Sequence, residues 1–162
     1  ALLAVISNSM FDTDATGFGI IMGGYSAGAL LGSLWISYFS EMRRPSRLMV
    51  FGCIFWHVAI FSIAFSTYFY VSVSIVLLAG IFQSFSMVIM AMLILRYTSE
   101  DMRSRVLGVR QLAVYGLPLG LVISGFVSEN FHVVAALMGN AVVGLLLLAF
   151  VLITWPRPLL HN

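Results

Sequence analysis

The chain has 162 residues, of which 61% are hydrophobic and only 9% are charged, and its mean hydropathy is +1.06. An ordinary soluble domain carries about a quarter charged residues, so this chain has too few charges to cover a surface that faces water. The formal net charge of +2 is small, and all the Lys-plus-Arg cations are arginines. These values exclude a soluble globular domain and predict a protein whose surface lies largely in lipid.

Five apolar runs are long enough to cross a bilayer as helices, which takes about 20 residues each. They cover residues 17–39, 48–66, 70–95, 106–127 and 131–155. Residues 1–11 are also apolar but reach only about half the required length, which predicts the end of a helix whose first half precedes Ala1. The sequence therefore predicts one all-α transmembrane domain over residues 1–162, with five spans and a truncated helix before them.

The connections between the predicted spans alternate in charge. Arginines occur between the first and second spans, between the third and fourth, and in the C-terminal tail. Arg110 lies just over one turn inside the fourth span, from where its side chain could reach back to the same side. The intervening connections contain Asp12, Asp14 and Glu129 but no arginine. By the positive-inside rule, the arginine-bearing connections and the C-terminus are predicted to be cytoplasmic.

Small residues mark two predicted contact faces, because helices in lipid associate by close packing. The first span has glycines spaced four residues apart on one helix face: Gly24, Gly28 and Gly32. The fourth span has a second group around a proline, which removes a helix hydrogen bond and predicts a kink: Gly116, Gly120, Gly125 and Pro118. Tight packing explains such faces, and helices that slide or rock explain them too; both interpretations stay open.

Three strongly polar side chains lie deep within their spans, namely His57, Gln83 and Asn140. Polar groups at this depth are costly unless paired, so each is either a functional residue or a partner in an interhelical hydrogen bond. His57 could carry a proton, but no acidic residue lies at similar depth. The lone cysteine, Cys53, allows no disulfide. We find no sequence motif for hydrolysis, a metal or a cofactor, and nothing that indicates a nucleic-acid partner.

Two parts of the chain resemble a known family. The segments D-A-T-G-F-G at residues 14–19 and G-A-L-L-G at residues 28–32 are similar to the helix seven to eight region of siderophore and drug exporters in the major facilitator superfamily. The segment S-E-D-M-R-S-R-V-L-G at residues 99–108 resembles the family's loop between helices ten and eleven, P-x-E-x-R-G-R-V-x-G. The resemblance implies helices eight to twelve of a carrier, with residues 1–11 as the end of helix seven and the N-terminal half of the same carrier missing.

The resemblance also implies which residues serve transport. Helices seven and ten of that fold line the central cavity and helices eight and eleven flank it, which implies three substrate-binding residues: Gln83, Tyr25 and Tyr115. It implies gating or conformational roles for a further group: Glu41, Arg43, Arg44, Gly28, Gly32, Pro118, Gly116 and Gly120. His57 and Asn140 would fall on the outer helices nine and twelve, as packing residues.

Three residues of the gating group lie in a loop motif of the family that has changed in this chain. The family's cytoplasmic motif, G-x-x-x-D-R-x-G-R-R, would fall on residues 37–46. Glu41 with Arg43 or Arg44 would form the remnant of its charged contact, although Ser37 replaces the glycine and Met42 replaces the first arginine. A solvated loop is the alternative interpretation of the same residues.

The sequence therefore predicts part of a secondary active carrier that moves a small organic molecule by alternating access, with proton-coupled efflux. Its partners would be the lipid bilayer and the substrate, and its place the plasma (inner) membrane as a multi-pass protein. The alternative is a self-contained five-span scaffold or assembly protein without transport activity. An enzyme is not predicted, because no pair of ionisable side chains lies within the spans.

Overall fold

A computed structural model describes residues 15–38 and 44–155. In these ranges the backbone is helical, with no strand. The helices are α1 (Ala15–Tyr38), α2 (Pro45–Ile63), α3 (Phe69–Tyr97), α4 (Arg103–Val114), α5 (Leu117–Phe131) and α6 (Val133–Thr154), with a short 3₁₀ turn, Glu100–Met102, before α4. Several parts of the predictions lie outside the described residues: the truncated helix at residues 1–11, the acidic Asp12, Asp14 and Glu41, Arg43, and the C-terminal tail.

Five helical segments in the described ranges are long and apolar enough to cross a membrane: α1, α2, α3, the continuous stretch Glu100–Phe131, and α6. The prediction of an all-α membrane protein with five spans is thereby confirmed. The second helix begins at Pro45, three residues before the predicted span, and ends at Ile63. Proline is favoured in the first turn of a helix because the N–H that it lacks would have no partner there.

The fourth span is interrupted near its middle, between α4 and α5. Pro118 has no N–H and cannot bond to the carbonyl of Val114. The Gly116 N–H instead donates to the Ala113 carbonyl oxygen at 3.1 Å, and Gly120 N–H donates to the Gly116 carbonyl oxygen at 3.3 Å as α5 begins. The span is therefore two helices joined by a tightened turn at Tyr115 and Gly116.

The contacts between helices fix their relative directions. The glycines of α1 meet residues of α3 in rising order, Gly24 with Val73, Gly28 with Leu77 and Gly32 with Ile81, so α1 and α3 are parallel. α2 and α3 run in opposite directions, since Met49 bonds with Ser86 and Ser66, just after α2, bonds with Ser72. α5 and α6 are joined directly at His132 and meet again at Ser124 and Asn140. Neighbours in sequence are therefore antiparallel, as spans of one chain must be.

This alternation sorts the charged residues by end. The arginines of the described part, apart from Arg110 inside α4, lie at the end where α1 and α3 finish and α2 and α4 begin: Arg44, Arg47, Arg96, Arg103 and Arg105. Glu129 lies in the last turn of α5, at the opposite end. The main buried apolar cluster joins α2, α3 and α6 to α1 near that opposite end: Ile21, Ile63, Ala64, Val76, Val133 and Leu137.

Candidate functional site

Tyr25 is a partly buried residue of α1 that packs against the main apolar cluster. Its hydroxyl lies beside the Trp56 side chain of α2, whose indole N–H can only donate. The tyrosine O–H keeps its own hydrogen for another acceptor. Tyr25 thus lies against a neighbouring helix and has an O–H that can donate to a ligand.

Gln83 is half-buried on α3, on the same helix face as Val76 and Met90, which lie seven residues before and after it. Within the described residues its side-chain amide makes no hydrogen bond. A primary amide has two donors and one acceptor oxygen. Gln83 therefore offers unused hydrogen-bonding capacity at the middle of a long apolar helix.

Tyr115 and Arg44 lie at interruptions of the helical backbone. Tyr115 is 68% exposed and forms the turn between α4 and α5. Arg44 is exposed and is the residue immediately before α2. Glu41 and Arg43, the other two residues of the implied charged contact, lie outside the described residues. Among the predicted substrate-binding residues, only Tyr25 and Gln83 lie on two helices, α1 and α3, that pack along each other.

The two groups of glycines have opposite surroundings. A methyl group added at Gly28 would overlap the Leu77 carbonyl, and one added at Gly32 would lie 2.7 Å from the carbonyl oxygen of Ile81. At Gly120 the same methyl group would meet nothing within 4 Å. The first group therefore closes a tight contact between α1 and α3, whereas Gly120 of the second lies beside empty space between α5 and α6.

His57 and Asn140 both join helices. The Nδ1 of His57 lies 2.8 Å from the Cys53 carbonyl oxygen, so its N–H is donated within α2, and its ring lies against Gly144 of α6. The Asn140 amide donates to the Ser124 hydroxyl oxygen at 2.9 Å and links α6 to α5. These contacts are of the packing kind that the resemblance implies for both residues.

Sequence reasoning missed the serines that cross between helices. The Ser84 hydroxyl donates to the Ala29 carbonyl oxygen at 2.7 Å, and the Ser86 hydroxyl donates to the Met49 carbonyl oxygen at 3.2 Å. Both serines are buried on α3. Serines are common in apolar helices, where they also bond within their own helix, so their type and spacing do not mark them. Only the positions of α1 and α2 on either side of α3 reveal their role.

Two cavities lie between helices of the described part. One, of about 360 Å³, lies between α5 and α6 around the bonded pair Ser124 and Asn140. The other, of about 210 Å³, is lined only by apolar surface from α2, α3 and α6 and extends to Trp56. Neither cavity is lined by Gln83, Tyr25 or Tyr115. Over the described ranges, no three side chains of the metal-binding types come together.

The fold and these contacts define a polytopic membrane protein with alternating apolar helices, buried hydrogen bonds between them and cations gathered at one end. The family model of the Major Facilitator Superfamily matches residues 1–162. Because this match covers the whole chain, the protein belongs to the Major Facilitator Superfamily, whose members are membrane transporters. Comparisons with curated proteins and with solved structures each found no match.

Proposed function

We propose that this chain forms part of the C-terminal half of a proton-coupled carrier that exports a small organic molecule by alternating access. The observation that supports this most directly is the family match across residues 1–162. The alternative, a self-contained scaffold, explains the glycine faces and the hydrogen bonds between helices equally well. It does not explain why the chain matches a family of transporters. In carriers of this kind, two bundles rock about a site near the middle of the membrane.

The residues proposed to contact the substrate are Gln83, Tyr25 and Tyr115. Support comes from their chemistry: within the described residues the Gln83 amide makes no hydrogen bond, and the Tyr25 hydroxyl beside Trp56 has an O–H that can donate. Tyr115 adds an exposed aromatic ring at the turn where the fourth span is interrupted. Side chains of this type can orient a small organic molecule in a mostly apolar cavity without a catalytic step.

The carrier hypothesis is tested with inverted membrane vesicles that contain the full-length protein and hold an imposed proton gradient. A panel of small organic molecules that includes ethidium and benzoate is added, and a fluorescent weak base reports the gradient. We expect at least one compound to dissipate the gradient. Gln83→Ala and Tyr25→Ala should reduce that rate at least about tenfold, since each removes a hydrogen bond to a substrate group that is left desolvated.

Tyr70→Ala is the matched control, because Tyr70 is 82% exposed at the start of α3 and is not among the proposed substrate contacts. If the vesicles never respond, or if the two site variants reduce only the amount of folded protein, the scaffold hypothesis becomes the better account. The coding sequence upstream of Ala1 supplies an independent check. Six further spans and the start of a seventh there are expected for a carrier of this family.

A further inference from the structure

One face of α4 carries two cations into the start of the fourth span. Among residues 103–113, four are partly buried and the remainder are exposed. These four follow the spacing of a single helix face: Arg103, Val106, Leu107 and Arg110. α4 makes only a small contact with α3, and these four positions are the least exposed of the helix. Arg110 is therefore partly buried on α4 and not fully exposed.

The guanidinium of Arg110 lacks a partner within the described residues. Its Nε–H is enclosed by protein and donates to no acceptor. The Nε–H of Arg103, two turns earlier on the same face, is likewise enclosed without an acceptor, but its Nη1 lies 3.5 Å from Glu100. Arg110 lies seven residues beyond the start of α4, about 10 Å along the helix. The predicted span begins only at Val106, four residues before Arg110, so the guanidinium either reaches back to the headgroups or is neutralised by an anion.

The acidic residues of the chain do not supply that anion in any described contact. Glu100 is engaged by Arg103, Asp101 lies in the exposed turn before α4, and Glu129 lies at the other end of the bundle. Asp12 and Asp14 come just before α1, which also begins at that other end. Glu41 lies outside the described residues, between α1 and α2 in the sequence, and is an internal candidate.

From this placement, we propose that Arg110 binds an oxyanion, carboxylate or phosphate, carried by the transported molecule. The inference rests on the proposed carrier function and narrows its substrate to an organic anion. A guanidinium offers a planar fork of N–H donors that matches two oxygens of one carboxylate or phosphate, and such charged bonds are roughly twice as strong as neutral ones. The enclosed Nε–H would gain its missing acceptor when the anion enters from the arginine-bearing end.

Binding of benzoate, with the uncharged benzamide as its isostere, tests the proposal on the full-length protein in nanodiscs of uncharged phosphatidylcholine. Titration calorimetry should show benzoate binding at least about tenfold more tightly than benzamide. Arg110→Gln should abolish this preference, and Arg110→Lys should keep part of it. Arg96→Gln removes the same charge from an exposed position at the same end of the bundle, and it should keep the whole preference.

Three results would overturn the proposal. The first is that the charge of Arg110 makes no specific difference. In that case either the wild-type protein shows no preference for benzoate, or Arg96→Gln and Arg110→Gln lose the preference equally. The second is a preference that disappears when phosphatidylglycerol is added, because the headgroup phosphate then occupies Arg110. The third is a preference that emerges only in Glu41→Gln, because Glu41 is then the internal partner. Benzoate binding without any response of the vesicles would refute the carrier but leave the anion site, so the two hypotheses fail separately.

Discussion

The tight contact between α1 and α3 depends on glycines, whose side chains are single hydrogen atoms. Gly28 and Gly32 of α1 meet the backbone of α3, and Gly80 of α3 meets the Tyr25 carbonyl in return. This approach lets the Ser84 hydroxyl reach the Ala29 carbonyl oxygen at 2.7 Å. In lipid, where apolar side chains gain little by leaving their solvent, such backbone proximity is a main source of helix association.

Gly28→Ala should therefore destabilise the protein by about 1–3 kcal/mol, the usual cost of an extra methyl group in a tight contact. Thermal unfolding of the full-length protein in detergent measures the change. Gly120→Ala is the matched control, since a methyl group there meets nothing within 4 Å, and it should leave the midpoint unchanged. An equal shift in both variants would mean that helix propensity, and not the contact with α3, determines the effect.

Among the elements, the fourth span differs from the others in being divided. α4 and α5 together are long enough to cross the membrane, but the turn at Tyr115 and Gly116 separates their hydrogen-bond ladders. Many side chains around the division are exposed. Leu112, Leu119 and Val122 are each 69–70% exposed. Few packing contacts therefore oppose a change of angle between the two halves.

Pro118→Ala should restore an N–H that can bond to the Val114 carbonyl and make the span more continuous. We expect hydrogen exchange of the amides around Tyr115 and Gly116 to slow about fivefold, as one net hydrogen bond would produce. If the division works as a hinge, Pro118→Ala should also reduce proton-coupled flux in vesicles. Leu119→Ala, at a 70% exposed position next to the proline, is the control. Unchanged exchange in Pro118→Ala would show that the glycine, not the proline, divides the span.

Over the whole molecule, the strongest asymmetry is electrical. The contacts between helices bring the arginines that flank the described helices to one end, where they outnumber the acidic Glu100 and Asp101, and leave Glu129 at the other. An arginine outside the bilayer on the cytoplasmic side is favoured during insertion. The asymmetry therefore predicts one orientation in the membrane, with the C-terminus inside.

Labelling of single cysteines in intact cells tests that orientation. In a Cys53→Ala background, a membrane-impermeant maleimide should react with Asn130→Cys and not with Ser104→Cys, both of which replace exposed residues near opposite ends of the fourth span. After the cells are opened, both should react. Reaction of Ser104→Cys alone in intact cells would reverse the orientation and contradict the positive-inside interpretation.

Patterns among residues close in sequence predicted most of the fold but few of the contacts around the candidate site. The number of spans follows from the lengths of the apolar runs, and the division of the fourth span follows from Pro118, because each depends on residues close together in sequence. The approach of Trp56 to Tyr25 and the hydrogen bond between Ser124 and Asn140 depend on how separate helices turn toward each other. Apolar residues surround every span, so hydropathy does not specify those rotations.

The glycine contacts of α1 have a mechanical consequence. They repeat every four residues against α3, so the same interlocking returns only after a displacement of about 6 Å along the axis. At smaller displacements the Leu77 carbonyl would leave the space that Gly28 provides and meet Tyr25 or Leu31, which lie three residues away on nearly the same helix face. Small sliding movements between α1 and α3 are therefore unfavourable. We expect the two helices to move together as one rigid unit when the bundle changes conformation.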